Sequence, residues 1–420
     1  MTTMASLSRH AGTYPSWALA ALGVTQIIGY GTLFYSFATL APDMSRDLGW
    51  NEEWIFTALT VALVAGGLAA PYAGRLADRH GAANVMSLGS IAAALALAGC
   101  AMASGPLTFV AGLVTMELAS AFVLYAAAFV AIVQGSDGEA RGRITHLTLI
   151  AGFASTIFWP LTGWLASFLD WRDVYLVFAA LNLLLCLPLH LSIRSIRPGG
   201  NGRTPSGDAP GRAEPLEPAL VPPAERPRRL RFLLLAMAVE GFVLGSILVH
   251  MIPLTRHLGL GADAAWLVSL FGPAQVASRL VNMVFGSSLR QATLAAIAAA
   301  LPVAGLVLLL MTGTLAGAAG FAILFGMGSG LISIIAGTVP LELFGREGYG
   351  RAVGLLSAAR QLATAVAPAL LALMIARLEA VPALWIVTVA AGLGFFLFAL
   401  LAVSVQPRKE AGASSGPAPL

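Results

Sequence analysis

The chain has 420 residues, of which 58% are hydrophobic and only 10% are charged. An ordinary soluble domain carries about 25% charged residues, so this composition excludes a water-soluble globular protein and indicates a polytopic membrane protein. The formal net charge of +4 comes largely from arginines in polar segments between apolar runs, and it does not indicate nucleic-acid binding.

Apolar runs between polar or Gly/Pro-rich breaks predict twelve transmembrane helices. The expected spans are 16–40, 54–72, 84–103, 107–133, 145–168, 173–193, 232–254, 265–285, 291–312, 315–339, 351–375 and 382–404. Most of the 24 Lys and Arg residues fall in segments that a cytoplasmic N-terminus would place in the cytoplasm. This bias predicts that both chain ends are cytoplasmic.

One segment rich in Pro, Gly and Arg divides the chain, because it lacks the large apolar side chains needed to build a core. We therefore predict an N-terminal six-helix bundle at 1–193, a flexible cytoplasmic linker at 194–231, a C-terminal six-helix bundle at 232–404 and a cytoplasmic tail at 405–420. A constant offset relates glycines and tryptophans of the two halves, which predicts a parallel repeat. The matched residues are Gly29, Gly49, Trp54 and Gly74 with Gly241, Gly261, Trp266 and Gly286.

A charged turn separates the second and third spans. It reads Gly74-Arg75-Leu76-Ala77-Asp78-Arg79-His80-Gly81. Gly74 and Gly81 permit close helix approach and positive φ, and Asp78 can accept hydrogen bonds from a helix N-terminus. Arg79 can meet a carboxylate or an anionic headgroup. We interpret the turn as a gate in which Asp78 bonds either Arg141 or Arg143, or the N–H groups of the eleventh helix after Gly348.

The turn resembles the loop between the second and third helices of the major facilitator superfamily, whose pattern is Gly, two residues, a small residue, Asp, Arg, one residue and Gly. The usual basic residues after the second Gly are absent here, where Ala82 and Ala83 stand. The resemblance implies an all-α membrane protein with twelve transmembrane helices in two pseudo-symmetric six-helix bundles, with N-terminus and C-terminus inside. It also implies secondary active transport by alternating access.

Four charged residues lie near the middle of expected spans, where burying a charge costs at least about 2.5 kcal/mol. They are Glu117, Glu240, Arg279 and Arg360, in the fourth, seventh, eighth and eleventh spans. The resemblance implies that these helices surround a central cavity, so we expect all four charges to face it. The alternative is that two carboxylates and two guanidiniums pair permanently and hold the bundle together.

The second half carries one excess positive charge, which an anionic ligand would neutralise. Arg279 and Arg360 also resemble, in helix and depth, the paired basic residues that bind carboxylates in the oxalate/formate and monocarboxylate branch of the superfamily. A guanidinium can donate two parallel hydrogen bonds to one carboxylate. Gln275 and Ser357 lie on the same helix faces as the two arginines and can complete the ligand shell or make ordinary interhelical hydrogen bonds.

Glu117 and Glu240 are candidates for proton coupling, because burial disfavours the ionised form of a carboxylate. We prefer Glu117, which is expected to face the arginines across the moving interface between the halves. In the first span, Gln26 and Tyr30 lie one turn apart beside two glycines and suit substrate contact or a gate. Packing within the bundle is the alternative for both.

Catalytic motifs and Cys/His clusters with metal-site spacing are missing from the sequence, so we expect no enzyme activity, metal or cofactor. Cys100 and Cys186 are expected to pack inside helices. The sequence therefore favours a monomeric, proton-coupled carrier of a small organic anion such as a carboxylate, in the lipid bilayer of a bacterial inner membrane. The alternatives are a proton-driven efflux pump for drugs or metabolites and, behind it, a channel or a non-transporting sensor.

Overall fold

A computed structural model describes residues 15–136, 139–196, 219–257, 269–286 and 288–404, with the side chains of 252–257 left out. Two expected segments fall partly or wholly elsewhere: linker residues 197–218 and the tail 405–420 lie outside the described residues. So do Gly261 and Trp266, two of the residues that define the sequence repeat.

The described residues form helices that we number α1 to α12. Their bounds are Ser16–Leu48, Glu52–His80, Ala82–Ala101, Pro106–Gly135, Ala140–Ala166, Trp171–Ile193, Arg226–His257, Phe271–Phe285, Gln291–Thr312, Leu315–Phe344, Tyr349–Leu378 and Ala380–Ser404. In this part of the chain, 11 helices are long and apolar enough to cross a membrane. The remaining one, α8, covers the described part of the expected span 265–285. The helices thus follow the spans predicted from hydropathy.

Four helices are interrupted near their middles. α1 contains a π-helical segment at Gly31–Tyr35, and α6 contains another at Asn182–Cys186. The α-helical hydrogen-bonding of α4 breaks at Leu124, and that of α5 breaks at Gly152 and Phe153. Backbone groups freed within a membrane need other partners, and π-segments frequently mark functional sites.

Most of the hydrophobic core separates into clusters that follow the two halves, while one cluster packs Tyr349 and Val353 of α11 against helices of the first half. One cluster is built from α1 to α6 alone, from Ile28 to Cys186, and another packs α7 and α9 to α12 together.

A hydrogen-bonded contact between helix ends in the first half recurs in the second half, six helices later. Gln134 at the end of α4 accepts a hydrogen bond from Ala82 N at the start of α3, and Glu342 on α10 accepts hydrogen bonds from the first N–H groups of α9. This recurrence fits the parallel repeat.

Residues 219–231, the described C-terminal part of the expected linker, contact the second half. Val221 is buried in the core of the second half, and its N–H donates to Leu343 O on α10 at 3.0 Å. The helix α7 also begins at Arg226, six residues before the expected boundary at 232. Leu220 and Val221 supply apolar side chains that can pack against a helix end, and composition averaged over the linker conceals them.

Among the described residues, the most extensive contacts between the halves join α2 with α11, α4 with α11, α5 with α8 and α5 with α10. The α2–α11 contact is lined by glycines. A Cβ at Gly74 would overlap with the carbonyl group of Gly350, and one at Gly67 would meet Leu362 at 3.1 Å. Small residues therefore bring these two backbones together, as is common between membrane helices.

Candidate functional site

The cytoplasmic ends of α2 and α11 are joined by the carboxylate of Asp78. It accepts hydrogen bonds from Gly350 N and Arg351 N, both at 2.8 Å, in the first turn of α11. Negative charge is favoured at a helix N-terminus, where backbone N–H groups lack partners in the helix. Of the two arrangements left open by the sequence, Asp78 makes the one with the helix start.

A second cytoplasmic contact between the halves is made by Arg141 at the start of α5. Its Nη2 donates to Gly286 O at 3.0 Å and also to Leu289 O, in the turn between α8 and α9. Arg143 forms an ion pair with Glu139 at 2.9 Å, within its own half. Arg79 is exposed at the end of α2, and Gly81 has a φ of 84°, which the turn into α3 requires.

A cavity of about 40 Å³ lies between the halves. Its lining combines residues of α1, α4, α5 and α8: Tyr30, Tyr35, Tyr125, Ala151, Gly152, Gln275 and Arg279. The rings of Tyr30 and Tyr125 lie 4.7 Å apart and those of Tyr30 and Tyr35 lie 6.4 Å apart, between centroids. The cavity thus presents hydroxyls, flat apolar faces, one amide and one guanidinium.

The buried guanidinium of Arg279 crosses from α8 to the first half. Its Nη1 donates to Thr148 O on α5 at 3.0 Å, and its Nε donates to Gly330 O on α10 at 3.3 Å. These carbonyls hold the side chain at the wall of the cavity without neutralising its charge.

Arg360 and Glu240 line a second cavity of about 10 Å³ within the second half, together with residues of α9 and α10. Within the described part of the chain, Arg360 Nε and Glu240 Oε1 make no hydrogen bond. Arg360 also lies close enough to Tyr30, Glu240 and Arg279 to interact with them electrostatically. Gln275 connects the two cavities, since its amide donates to Ser329 Oγ at 2.8 Å and Ser329 lines the second one.

Glu117 is buried on α4 and faces the second half. Its Oε2 accepts hydrogen bonds from Ser120 Oγ at 3.2 Å and from Gln361 Nε2 of α11 at 3.4 Å. Gln361 also donates to Leu63 O on α2, at 3.2 Å. The Gln361 amide of the second half therefore bonds to both α2 and α4 of the first half.

The four charges consequently do not face one central cavity, which differs from the arrangement expected from the sequence. Arg279 lines the cavity between the halves, Arg360 and Glu240 line the smaller one, and Glu117 lies at the α4–α11 contact. Glu240 departs furthest from the expectation, because it packs beside Gly394 of α12. A helix can place a charged face toward its own bundle as well as toward its pseudo-symmetric partner, and hydropathy does not distinguish the two.

The remaining expected residues have simpler positions. Gln26 is fully buried and donates to Val123 O at 2.7 Å, beside the break in α4, so it supports that break rather than lining the cavity. Ser357 is half-buried on α11, one turn before Arg360.

Sequence reasoning missed five residues that the structure brings to these sites: Tyr35, Tyr125, Thr148, Gly152 and Gln361. Thr148 contributes a backbone carbonyl, which no side-chain pattern reveals. Gln361 directly follows Arg360, and this second polar residue within an apolar span was the available signal.

Comparison with known proteins places this helical arrangement in a family. The family model described as Major Facilitator Superfamily matches residues 22–368. The chain belongs to the Major Facilitator Superfamily. It is therefore a multi-pass membrane protein of a transporter family, and the family and the fold point to transport rather than catalysis.

Solved structures of this family share the fold. The human organic anion transporter MFSD10 superposes with a TM-score of 0.68 at 17% identity, over 92% of this chain and 100% of that one. FucP in the outward conformation gives a TM-score of 0.69 at 14% identity, over 93% of this chain and 98% of that one. At these identities the likeness concerns the fold alone: twelve membrane helices in two pseudo-symmetric bundles of six.

Two curated relatives match part of the chain. An uncharacterized 38 kDa protein of Thermoproteus tenax is 31% identical over 183 residues, 42% of this chain and 46% of the relative. The puromycin resistance protein pur8 of Streptomyces alboniger is 31% identical over 175 residues, 40% of this chain and 33% of the relative. The chain thus matches less than half the length of each relative.

Proposed function

We propose that this protein is a secondary active carrier that moves a small organic anion, such as a carboxylate, across a bacterial inner membrane. The observation that carries the proposal is Arg279, a buried guanidinium at the wall of a cavity between the halves, held by two neutral carbonyls. The ion pairs found among the described residues do not include Arg279 or Glu117, which argues against permanent pairing of these two charges, whereas Arg360 and Glu240 lie close enough to interact electrostatically. An anion in the cavity supplies the missing negative charge.

The ligand shell that we propose uses Arg279, Gln275 and Tyr30 directly, with Arg360 and Ser357 reached as the halves move. A cavity of about 40 Å³ holds little more than a few water molecules, so a solute of several heavy atoms enters only when the halves separate. Alternating access provides that separation, with the ligand held between the two halves near the membrane midplane.

Proton coupling is assigned to Glu117 or Glu240, and we prefer Glu117. Its hydrogen bond to Gln361 crosses from α4 to α11, so its surroundings change whenever the halves move apart. Glu240 lies inside the second half beside Arg360 and keeps its neighbours during a rigid-body motion. A carboxylate whose environment changes with conformation can bind a proton on one side of the membrane and release it on the other. The carrier functions as a monomer in this proposal.

Proton-driven export of drugs or metabolites is the second candidate. It is favoured by the partial similarity to the puromycin resistance protein and by the three tyrosine rings in the cavity, which suit a flat apolar solute. An exporter of cations would use Glu117 and Glu240 for the ligand and would not depend on Arg279.

Uptake into proteoliposomes distinguishes the two candidates. The labelled probes are oxalate, lactate and benzoate as carboxylates, glucose as a neutral solute and tetraphenylphosphonium as a cation, each with and without an inward proton gradient. We expect gradient-stimulated uptake of a carboxylate in the parent and its loss in Arg279→Gln. Arg377→Gln is the matched control, because Arg377 is exposed at the far end of α11. Cation or glucose flux that persists in Arg279→Gln, without carboxylate flux in the parent, would contradict the anion proposal.

A further inference from the structure

The break in α5 lies directly beside Arg279. The two helical parts of α5 end at Ala151 and resume at Ala154, and Gly152 N donates to Thr148 O at 3.0 Å. The same carbonyl accepts the hydrogen bond from Arg279 Nη1 at 3.0 Å. One backbone oxygen of the first half therefore holds the guanidinium of the second half.

Gly152 makes this contact possible. A Cβ at position 152 would overlap with Arg279 Nη1, so the guanidinium occupies the volume that any other side chain would fill. A Cβ added at Gly163, another glycine of α5, would meet no atom within 4 Å. The closest contact of a Cβ at position 152 is with Arg279, and the carbonyl oxygens of Leu149 and Thr148 come next, at 3.1 and 3.3 Å, so the guanidinium is the main obstacle to a side chain there.

Arg279 has a second set of neighbours in the cavity, where Tyr30, Tyr125 and Gln275 surround it. A carboxylate bound there would accept two parallel hydrogen bonds from the guanidinium and would also neutralise its charge, which a carbonyl cannot do. A neutral solute offers no such gain over the Thr148 carbonyl. The ligand carboxylate and the Thr148 carbonyl therefore compete for the guanidinium of Arg279, and only an anionic ligand displaces the carbonyl.

We propose that the Thr148 carbonyl and Gly152 form an internal docking site for Arg279. A carboxylate ligand has to draw the guanidinium away from this site in order to bind it. Gly152 is then a positioning residue that favours anions over neutral solutes, and anion binding releases α5 from α8. Because α5 also carries Arg141, this release loosens one of the two cytoplasmic contacts between the halves. The inference rests on the proposed role of Arg279 as the anion ligand.

The test compares Gly152→Ala with Gly163→Ala in the full-length protein. Spin labels are attached to His80→Cys on α2 and Glu347→Cys next to α11, two exposed positions in opposite halves, since the native Cys100 and Cys186 are buried. In ligand-free protein we expect Gly152→Ala to raise the population with a long inter-label distance about tenfold. This is the change in equilibrium that follows from losing one hydrogen bond to a charged group. Gly163→Ala should match the parent. Equal distance distributions in the two variants would overturn the docking site.

A double variant separates docking from distortion of α5. Without the guanidinium, the added methyl group at position 152 meets only the carbonyl oxygens of Leu149 and Thr148, at 3.1 and 3.3 Å, so Gly152→Ala combined with Arg279→Gln should behave much as Arg279→Gln alone. A further lengthening in the double variant would show that the methyl group acts through the helix, and it would overturn the proposal.

The transport readout is the concentration of carboxylate that half-saturates uptake. Gly152→Ala should lower it about tenfold for the carboxylate that the parent takes up, because Arg279 is already released. An unchanged or raised value would contradict the docking site. If Arg279→Gln leaves uptake intact, the proposed function fails instead, while the label distances still decide whether Arg279 docks on α5.

Discussion

At the scale of single residues, the buried charges differ in what holds them. Arg279 is held by the carbonyls of Thr148 and Gly330, and Glu117 is held by Ser120 and Gln361. These partners are neutral, so each charge can exchange them for an ion or a proton without leaving an unpaired opposite charge behind. Such an arrangement suits binding and release better than permanent ion pairs do.

Glu117→Gln tests the preferred proton-coupling group. The amide keeps the size and hydrogen-bonding capacity of the carboxyl group but cannot carry a proton, so proton-driven accumulation should fall at least about tenfold. Exchange of labelled for unlabelled carboxylate should persist, because it needs no net proton movement. Both rates are measured in the same proteoliposomes, and Glu53→Gln, an exposed position in the first turn of α2, is the control. Undiminished accumulation in Glu117→Gln would move the coupling role to Glu240.

The charged residues of the site were predictable from sequence, and most of their neighbours were not. A charge inside an apolar span is conspicuous because of its cost. Tyr35 was missed because it lies five positions after Tyr30, which places the two on different faces of a regular α-helix. The π-helical segment Gly31–Tyr35 follows an i to i+5 pattern and brings both rings to one cavity.

At the scale of helices, the α2–α11 contact depends on glycine. Gly74→Ala would drive a methyl group into the carbonyl group of Gly350, so either the helices separate or the backbone shifts. We expect a loss of about 1–3 kcal/mol in the free energy that favours the observed packing, the usual effect of overpacking. The measurement is the thermal unfolding of the purified protein in detergent.

Gly99→Ala is the control for this prediction. A Cβ at Gly99 on α3 meets nothing within 4 Å, so its substitution should leave the unfolding temperature close to that of the parent. If Gly74→Ala unfolds at the same temperature as Gly99→Ala, the close approach of α2 and α11 does not depend on Gly74.

Helix number and approximate bounds followed from hydropathy, since crossing a bilayer fixes the length and polarity of a span. The expected ninth span, 291–312, coincides with α9. The breaks in α4 and α5 did not follow. They lie beside tertiary contacts, such as Gln26 at Val123 O and Arg279 at Thr148 O, which come from distant parts of the sequence.

At the scale of the whole molecule, the halves are joined at their cytoplasmic ends. Asp78 links α2 to the start of α11, and Arg141 links α5 to the turn after α8. The sequence predicted two possible partners for Asp78 in the charged turn between α2 and α3 and could not decide between them, because a guanidinium and the N–H groups of a helix start can both bind a carboxylate.

Asp78→Asn tests the gate. The substitution removes the negative charge at the α11 N-terminus and one of the two strong acceptors, which weakens closure by about 0.3–1 kcal/mol. The labels at His80→Cys and Glu347→Cys should report a larger open population than in the parent. Asp173→Asn, an exposed change on the opposite side of the membrane, should have no effect. Identical label distances in Asp78→Asn and the parent would remove Asp78 from the gate.

The most direct test of anion and proton movement together is proton entry driven by a carboxylate. Proteoliposomes carrying a pH-sensitive dye receive oxalate, lactate, benzoate or glucose outside, and the acidification of protein-free liposomes is subtracted. We predict that at least one carboxylate acidifies the lumen of parent liposomes, that glucose does not, and that Arg279→Gln abolishes the signal. Acidification that is independent of carboxylate, or that survives in Arg279→Gln, would contradict a proton-coupled anion carrier built around Arg279.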